Sequence, residues 1–351
     1  RVQPMEWVES YMRSYFEDMD TLNVIRPNIS PRPSCHITEQ IEMAQQLLET
    51  GHAYEVDGSV YFDVSSWPEY GKLSGRRVEE QEEGSRVAIN PDKRHPADFA
   101  VWKHAERGHI LRWPSPWGWG YPGWHVECST MATKYLGQPF DIHGGGLENV
   151  FPHNECEIAQ SEAATGEKFC NYWLLNNMVT VDSIKMGKSL GNAIYLKDLF
   201  QRHSPVTIRF FVLSSHYRSV TDFSEEALEA AGRGLERLTG AVALVRERLR
   251  EATGSELDPN WEAKLHDYRR QFEEAMNDDF NPPRGIATLF DLSREVNSLL
   301  NSEQAVSAAT LEAIDGLYLE LGQDVLGIQF QVLPLGVSQT DGDLLDGLVR
   351  M

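Results

Sequence analysis

The sequence predicts an α/β fold that gives way to an all-α bundle. Two observations carry this reading. Over YEVDGSVYFDV (54–64) apolar residues recur with a period of two, and Asp57-Gly58 suits the tight turn of a hairpin. Beyond Phe223 the spacing changes to threes and fours. Leu228, Ala231, Leu235, Leu238, Val242, Val245 and Leu249 form one stripe, Trp261, Leu265, Tyr268, Phe272 and Met276 a second, and Leu289, Leu292, Val296 and Leu299 a third. Stripes of that spacing in series describe packed helices.

The elements follow in order. Residues 5–22 read as a helix with Trp7, Val8, Tyr11, Tyr15, Met19 and Leu22 on one stripe. Thr38 is placed to cap a second helix that ends at Gly51, with Ile41, Ala44, Leu47 and Leu48 inward. The hairpin comes next. Residues 65–122 are rich in Pro, Gly, Trp and charge, and read as an irregular insertion. NYWLLNNMVTV (171–181) reads as a buried strand and turn. Ser224 is a favourable N-cap, with Glu225 and Glu226 in the first turn behind it. The segment QVLPLGVSQTDGDL (331–344) has the composition of a loose linker. No internal repeat is present.

Composition narrows the function classes. The chain has 351 residues, enough for two or three domains, and its 41% hydrophobic and 24% charged content is that of a globular protein. No run of eighteen apolar residues occurs, so no membrane span is expected. The opening RVQPMEWVESYM has neither the apolar core of a signal peptide nor an initiator Met, so the chain is expected to begin inside a longer protein. Cys35, Cys128, Cys156 and Cys170 are too few and too scattered for a disulfide framework, which fits a reducing cytoplasm. The net charge of −21 argues against a general nucleic-acid coat, though not against a local basic groove.

Three short segments carry chemistry: GWHVEC (123–128), FPHNECE (151–157) and KMGKS (185–189). Cys128 offers a soft thiolate. His153 and Glu157 are four residues apart and share one face of a helix, and Pro152 fits the first turn of that helix, where its missing N–H costs nothing. Cys, His and a carboxylate are zinc ligands, and three of them leave a coordination position open. Lys185 and Lys188, followed by Ser189 and the turn-prone Gly191-Asn192, suit a transient polyphosphate.

GWHVECSTM, DIHGGGLENVFPHNECEIAQSEA and KMGKSLGN together resemble the cysteinyl-tRNA synthetases, a family of class I aminoacyl-tRNA synthetases, and HYRSVTDFSEEALEAA (216–231) and AMNDDFNPPRGIATLFDL (275–292) extend the match. The resemblance implies a Rossmann-like parallel nucleotide-binding sheet with an insertion, followed by the helical bundle. Residues 1–30 would be the remainder of the first half of that fold and 31–120 the connective insertion. Residues 121–180 would be its second half with the zinc site, and 181–222 a stem-contact region with the KMGKS loop. The tRNA-binding bundle would span 223–330, and 331–351 would be a linker toward a small C-terminal module. The family's HIGH motif is not found, so it is expected upstream of Arg1 together with a fourth, cysteine zinc ligand. On that expectation the chain alone is inactive.

The same resemblance assigns roles. Cys128, His153 and Glu157 hold one Zn2+ that binds the thiol of L-cysteine. Trp124 walls the cysteine pocket. His143 and Gly144, Gly145 and Gly146 pass under the adenylate, and glycine lets backbone approach a ligand closely. Glu148 stands where the family usually has Asp, Asn154 where it commonly has His, and Gly187 where it has Ser. Lys188, supported by Lys185, contacts the phosphates of ATP. Cys156 is not a family ligand and is expected to pack behind the site, while Cys35 and Cys170 are expected to behave as small hydrophobes. Arg209, Arg218, Arg233 and Arg284 are candidates for contact with the tRNA(Cys) backbone. The implied partners are tRNA(Cys), L-cysteine and ATP, with no membrane, and the implied state is a cytoplasmic monomer. Two other readings stand beside it: a ligase joining cysteine to an amino-sugar in thiol biosynthesis, and a non-catalytic tRNA-binding fragment.

Overall fold

The computed structural model describes residues 3–76, 90–302 and 304–330. The chain divides into two compact units. One comprises Arg1–Arg13 and Pro27–Met178, the other Ser14–Arg26 and Val179–Met351. The expected linker 331–351 and the insertion segment 77–89 lie outside the described residues.

The first helix, α1 (Pro4–Thr21), matches the periodicity, but none of its residues is buried and Trp7, Tyr11 and Tyr15 are more than half exposed. Of the apolar stripe, only its last residue, Leu22, just past the helix, packs against a buried core among the described residues. Helix α2 (Ile37–Glu49) starts one residue before the expected cap Thr38. His36 occupies the cap position and is buried there by bonding the Arg32 carbonyl (2.7 Å) and the Tyr135 hydroxyl (2.8 Å). Strands β1 (Ala53–Val56) and β2 (Ser59–Phe62) form the hairpin, with Asp57 and Gly58 both at positive φ, as a two-residue primed turn requires.

The region 65–122 is more regular than its composition suggests. Strands β3 (Phe99–His104), β4 (Trp113–Ser115) and β5 (Gly118–Pro122) join the hairpin in an antiparallel sheet of order β1-β2-β3-β5-β4. Phe62, Phe99, Val101 and Trp102 of this sheet pack with Ala44 and Leu47 of α2 in one buried cluster, which Val126, Cys156 and Ala159 complete. These last three come from the elements that follow.

Helix α3 (Trp124–Leu136) leads into β6 (Phe140–Gly146), α4 (Glu155–Thr165) and β7 (Cys170–Asn176). β6 and β7 pair in parallel from Phe140 opposite Cys170 to Gly146 opposite Asn176. Such a pair needs a crossover, and α4 supplies it. The βαβ unit is the parallel part of the α/β fold. Strand β7 is not the buried strand its sequence suggested: Tyr172 is 68% exposed, and only Cys170 of the seven residues is buried.

The second unit opens with β8 (Val179–Val181) and β9 (Ile184–Lys185), a short antiparallel pair, followed by α5 (Leu196–Leu199), α6 (Pro205–Leu213) and β10 (Thr221–Phe223), which runs parallel to β8. The bundle is α7 (Glu225–Leu249), α8 (Pro259–Asn277), α9 (Pro282–Leu300) and α10 (Ala308–Tyr318). Ser224 caps α7 as expected, its hydroxyl accepting from the Ala227 N–H at 3.1 Å. Leu228, Leu238, Val242, Phe272, Leu289, Leu292 and Val296 from the three stripes lie in one core. Helix α10 adds Leu311, Ile314 and Leu317 to it. That helix was not read from the sequence, although Ser307, whose hydroxyl accepts from the Thr310 N–H, was a usable start signal.

Candidate active site

In the first unit the ligand candidates come from two helix starts. α3 carries Trp124, His125 and Cys128 within its first five residues. Ahead of α4, Phe151 adopts an extended backbone (φ −137°, ψ 129°), and helical geometry resumes at Pro152, so Pro152 does open the turn that carries His153. Cys128, His153 and Glu157 each bring a donor atom to within 4.8 Å of the others. Glu157 is fully buried, His153 nearly so, and Cys128 half-buried.

The carboxylate of Glu157 is the centre of the cluster. Its Oε2 is 2.6 Å from His143 Nε2 of β6 and accepts from Asn154 Nδ2 at 3.2 Å. Its Oε1 lies 2.9 Å from His153 Nε2, but that ring is not oriented to donate, and Oε1 is left with no hydrogen-bond partner. A buried carboxylate oxygen without a donor is costly unless a cation takes its lone pair. Burial pushes the Glu157 carboxyl up, but the His143 and His153 imidazoles outweigh it and hold the group at about 2. Burial also raises the Cys128 thiol, with the negative Glu157 adding to it, to about 12. A thiol in that position becomes a thiolate only when a cation compensates it. The donor set and the orphaned oxygen therefore fit a zinc-type metal.

His125 was not singled out from the sequence. Its Nδ1 lies 2.9 Å from His153 Nδ1, so one ring must donate to the other. Burial, with His153 adding to it, lowers His125 to about 4, so it is neutral at pH 7 and can accept. His125 can thus take the Nδ1 proton of His153, which is the tautomer that would free Nε2 for a metal. The only sequence signal was the Trp-His pair ahead of Cys128.

Trp124 is 57% exposed, with its ring centroid 4.1 Å from that of His153, so it covers the cluster from the solvent side and is no core tryptophan. On β6, a Cβ added to Gly144 or Gly145 would meet no protein atom closer than 3.6 Å, an ordinary van der Waals contact, so the protein itself does not require glycine at either position. At Gly146 a Cβ would lie 2.6 Å from the exposed Glu148 carboxylate, so this glycine lets Glu148 fold back over the strand. Cys156 is fully buried against Tyr70, as expected of a packing residue, and Cys170 is buried as well. Cys35 is exposed, contrary to the expectation of a packed hydrophobe.

In the second unit Lys185 ends β9 and Lys188 opens a single 3₁₀ turn. Both are exposed, and among the described residues neither ammonium has an ion-pair partner. Asn192 organises the loop: its Oδ1 accepts from the Gly187 N–H at 2.9 Å and its Nδ2 donates to the Lys185 carbonyl at 3.1 Å. Gly187 has an extended φ of −163° and room for a Cβ, the nearest neighbour being 3.8 Å away, so a serine fits there equally well. Of the arginines, Arg209 is turned inward. Its guanidinium donates to the carbonyls of Leu22, Asn23 and Leu326, so it is a structural clasp and not free for a phosphate. Arg218, Arg233 and Arg284 are exposed and pair with Asp279, Glu229 and Asp278.

Comparison with known proteins matches residues 2–233 to the family of tRNA synthetases class I (C) catalytic domain, and residues 271–331 to the DALR domain. Cysteine–tRNA ligase of Deinococcus radiodurans is 49% identical over 352 aligned positions, covering 100% of this chain and 70% of that protein. Cysteine–tRNA ligase of Chlorobium chlorochromatii is 54% identical, again over the whole chain and 71% of the relative. Among solved structures, Mycobacterium tuberculosis methionyl-tRNA synthetase in complex with methionyl-adenylate shares the fold, with a TM-score of 0.62 at 15% identity over 95% of this chain and 79% of that one. Thermus thermophilus arginyl-tRNA synthetase does so with a TM-score of 0.57 at 14% identity, over 93% and 63% of the respective chains. Identity near one residue in two along its entire length places this chain in the cysteine–tRNA ligase family of class I aminoacyl-tRNA synthetases.

Proposed function

We propose that this chain, joined to the upstream segment expected above, activates L-cysteine with ATP to cysteinyl-adenylate and transfers cysteine to the 3′ end of tRNA(Cys), in the cytoplasm, with Cys128, His153 and Glu157 holding Zn2+. The observation that carries the reading is the convergence of these three donors beneath Trp124 in a member of this family. When bound, zinc supplies a Lewis-acid centre that prefers a thiolate to a hydroxyl, which separates cysteine from serine without an editing step. His125 fixes the tautomer of His153, and His143 with Asn154 fixes the carboxylate of Glu157. Trp124 excludes water from the thiol. The side-chain-free backbone at Gly144–Gly146 and the Glu148 carboxylate suit the adenosine. Lys188, supported by Lys185, meets negative charge as pyrophosphate departs, which acts on the transition state. Residues 181–222 and the bundle 223–330 would carry the tRNA, and the DALR match at 271–331 supports this.

The test is cysteine-dependent exchange between pyrophosphate and ATP by the chain joined to that upstream segment, with metal content measured in the same preparation. Cysteine should support exchange and serine should not. Cys128→Ala should lose zinc and the preference for cysteine together. Retention of both by Cys128→Ala removes Cys128 from the site, and charging of an amino-sugar in place of tRNA hands the chain to the related ligase.

A further inference from the structure

The turn at Tyr70–Arg76 contributes no ligand, yet it is fastened to α4 along its length. Glu155 is 1% exposed, and its Oε2 accepts from the backbone N–H of Leu73 at 3.2 Å and of Ser74 at 2.8 Å. The Tyr70 hydroxyl lies 3.4 Å from Cys156 Sγ, and Lys72 pairs with Glu162 further along the helix. Arg76 lies 4.6 Å from the ring centroid of Phe151, the extended residue ahead of His153, and Tyr70 meets that same ring edge-on. The turn is itself closed tightly. Gly71 has a φ of 98°, a Cβ there would lie 1.9 Å from the Arg76 carbonyl oxygen, and its own carbonyl accepts from Gly75 at 2.8 Å.

The grip is directional. Residues two apart on a helix point about 200° apart, so the turn holds the face of α4 opposite the one that presents Glu157. A buried carboxylate is a poor way to gain stability, since an apolar side chain of similar volume packs there without desolvating a charge. What two amides on one carboxylate do supply is a fixed rotational phase. Rotating the helix by about 15° carries an atom about 6 Å from the axis through about 1.5 Å. A functional constellation tolerates about 0.5 Å.

We propose that the Tyr70–Arg76 turn is a brace that sets the phase of α4 for metal binding, and that Glu155 is its positioning residue, acting through Glu157 without touching metal or cysteine. The inference rests on the metal reading given above. Glu155→Gln keeps the volume and removes the charge that the two amides hold. Arg76→Ala loosens the other end of the brace from an exposed position, where it does not threaten folding. Glu55→Gln, exposed on β1, is the control.

Cobalt(II) is titrated into the metal-free chain joined to the upstream cysteine segment expected above, and its visible bands, which report ligand geometry, are recorded. Glu155→Gln should weaken cobalt binding about tenfold and shift the bands. Arg76→Ala should do the same to a smaller extent, and Glu55→Gln should match the parent. A parent chain that binds no cobalt overturns the metal reading and the brace with it. A parent that binds, with Glu155→Gln and Arg76→Ala identical to it in affinity and bands, overturns the brace alone. Should Glu155→Gln not fold, Arg76→Ala decides by the same criterion.

Discussion

Glu157→Gln removes one negative charge from a fully buried position and keeps its volume. In the metal-free protein burial pushes the Glu157 carboxyl up, yet His143 at 2.6 Å and His153 at 2.9 Å hold it at about 2 against an ordinary 4.5. That gap of about 2.5 pH units corresponds to about 3 kcal/mol of folding free energy at neutral pH. The sign follows from which state takes the proton. The folded pKa lies below the unfolded one, so on acidification the unfolded chain protonates first. The contribution is complete above about pH 4.5 and is lost as the pH falls towards about 2. The variant has no carboxyl to titrate. The stability difference between parent and Glu157→Gln should therefore shrink by about 3 kcal/mol between about pH 6 and about pH 2. Urea unfolding in the presence of a chelator, followed by tryptophan fluorescence at stepped pH, measures it. A difference that stays constant across that range, or widens towards acid, refutes the assignment of the histidine-held charge to Glu157.

Three further outcomes are expected. Lys188→Ala should lower the rate of cysteine-dependent pyrophosphate exchange by about 10²–10³ while leaving cysteine affinity nearly unchanged, since only a group that binds the changed charge distribution accelerates the step; equal losses in both make Lys188 a binding residue only. Asn192→Ala removes both hydrogen bonds that order the lysine loop, and an ordering cost of about 2 kcal/mol predicts a loss of about thirtyfold in the same exchange with an unaltered melting temperature; unchanged exchange shows the loop ordered without it. Asp98→Ala strips a buried carboxylate that accepts from the Tyr54 hydroxyl and from the N–H groups of Val64 and His95, and should destabilise the first unit by about 3 kcal/mol in equilibrium unfolding; a loss below about 1 kcal/mol means that water replaces it.

The cluster of Cys128, His153 and Glu157 was legible because its signal is local. A four-residue spacing puts His153 and Glu157 on one face whatever the surrounding fold, and a cysteine inside a chemically loaded segment is rare. The bundle was legible because its helices are amphipathic, with one buried and one solvated face. What was not legible depends on partners distant in sequence. Strands β3 to β5 are short, and Pro114, Gly118 and Gly120 read as loop until the hairpin gives them a ladder to join. Strand β6 ends in three glycines and is a strand only because β7 lies beside it. Thr38 looked like a cap, but His36 is fixed by Arg32 and Tyr135, and the latter is nearly one hundred residues away. His125 and Asn192 were invisible as functional residues because each acts through a neighbour's orientation, and no spacing rule records that.

Helix α4 buries ten of its eleven residues and so has almost no surface through which it can drift. On most helices the solvated face accepts substitutions freely and lets a lineage explore new sequences while the core waits. α4 offers almost no such reserve: nearly every change there is a change to an interior, in which Glu155, Glu157 and Glu162 each have a dedicated partner. On the reading proposed above, redirecting the site to a different thiol amino acid is therefore a problem for α3, where Trp124 is 57% exposed and meets the His153 ring from the solvent side. On that reading, a library that varies position 124 and leaves 155–164 untouched searches the part of the site that can vary.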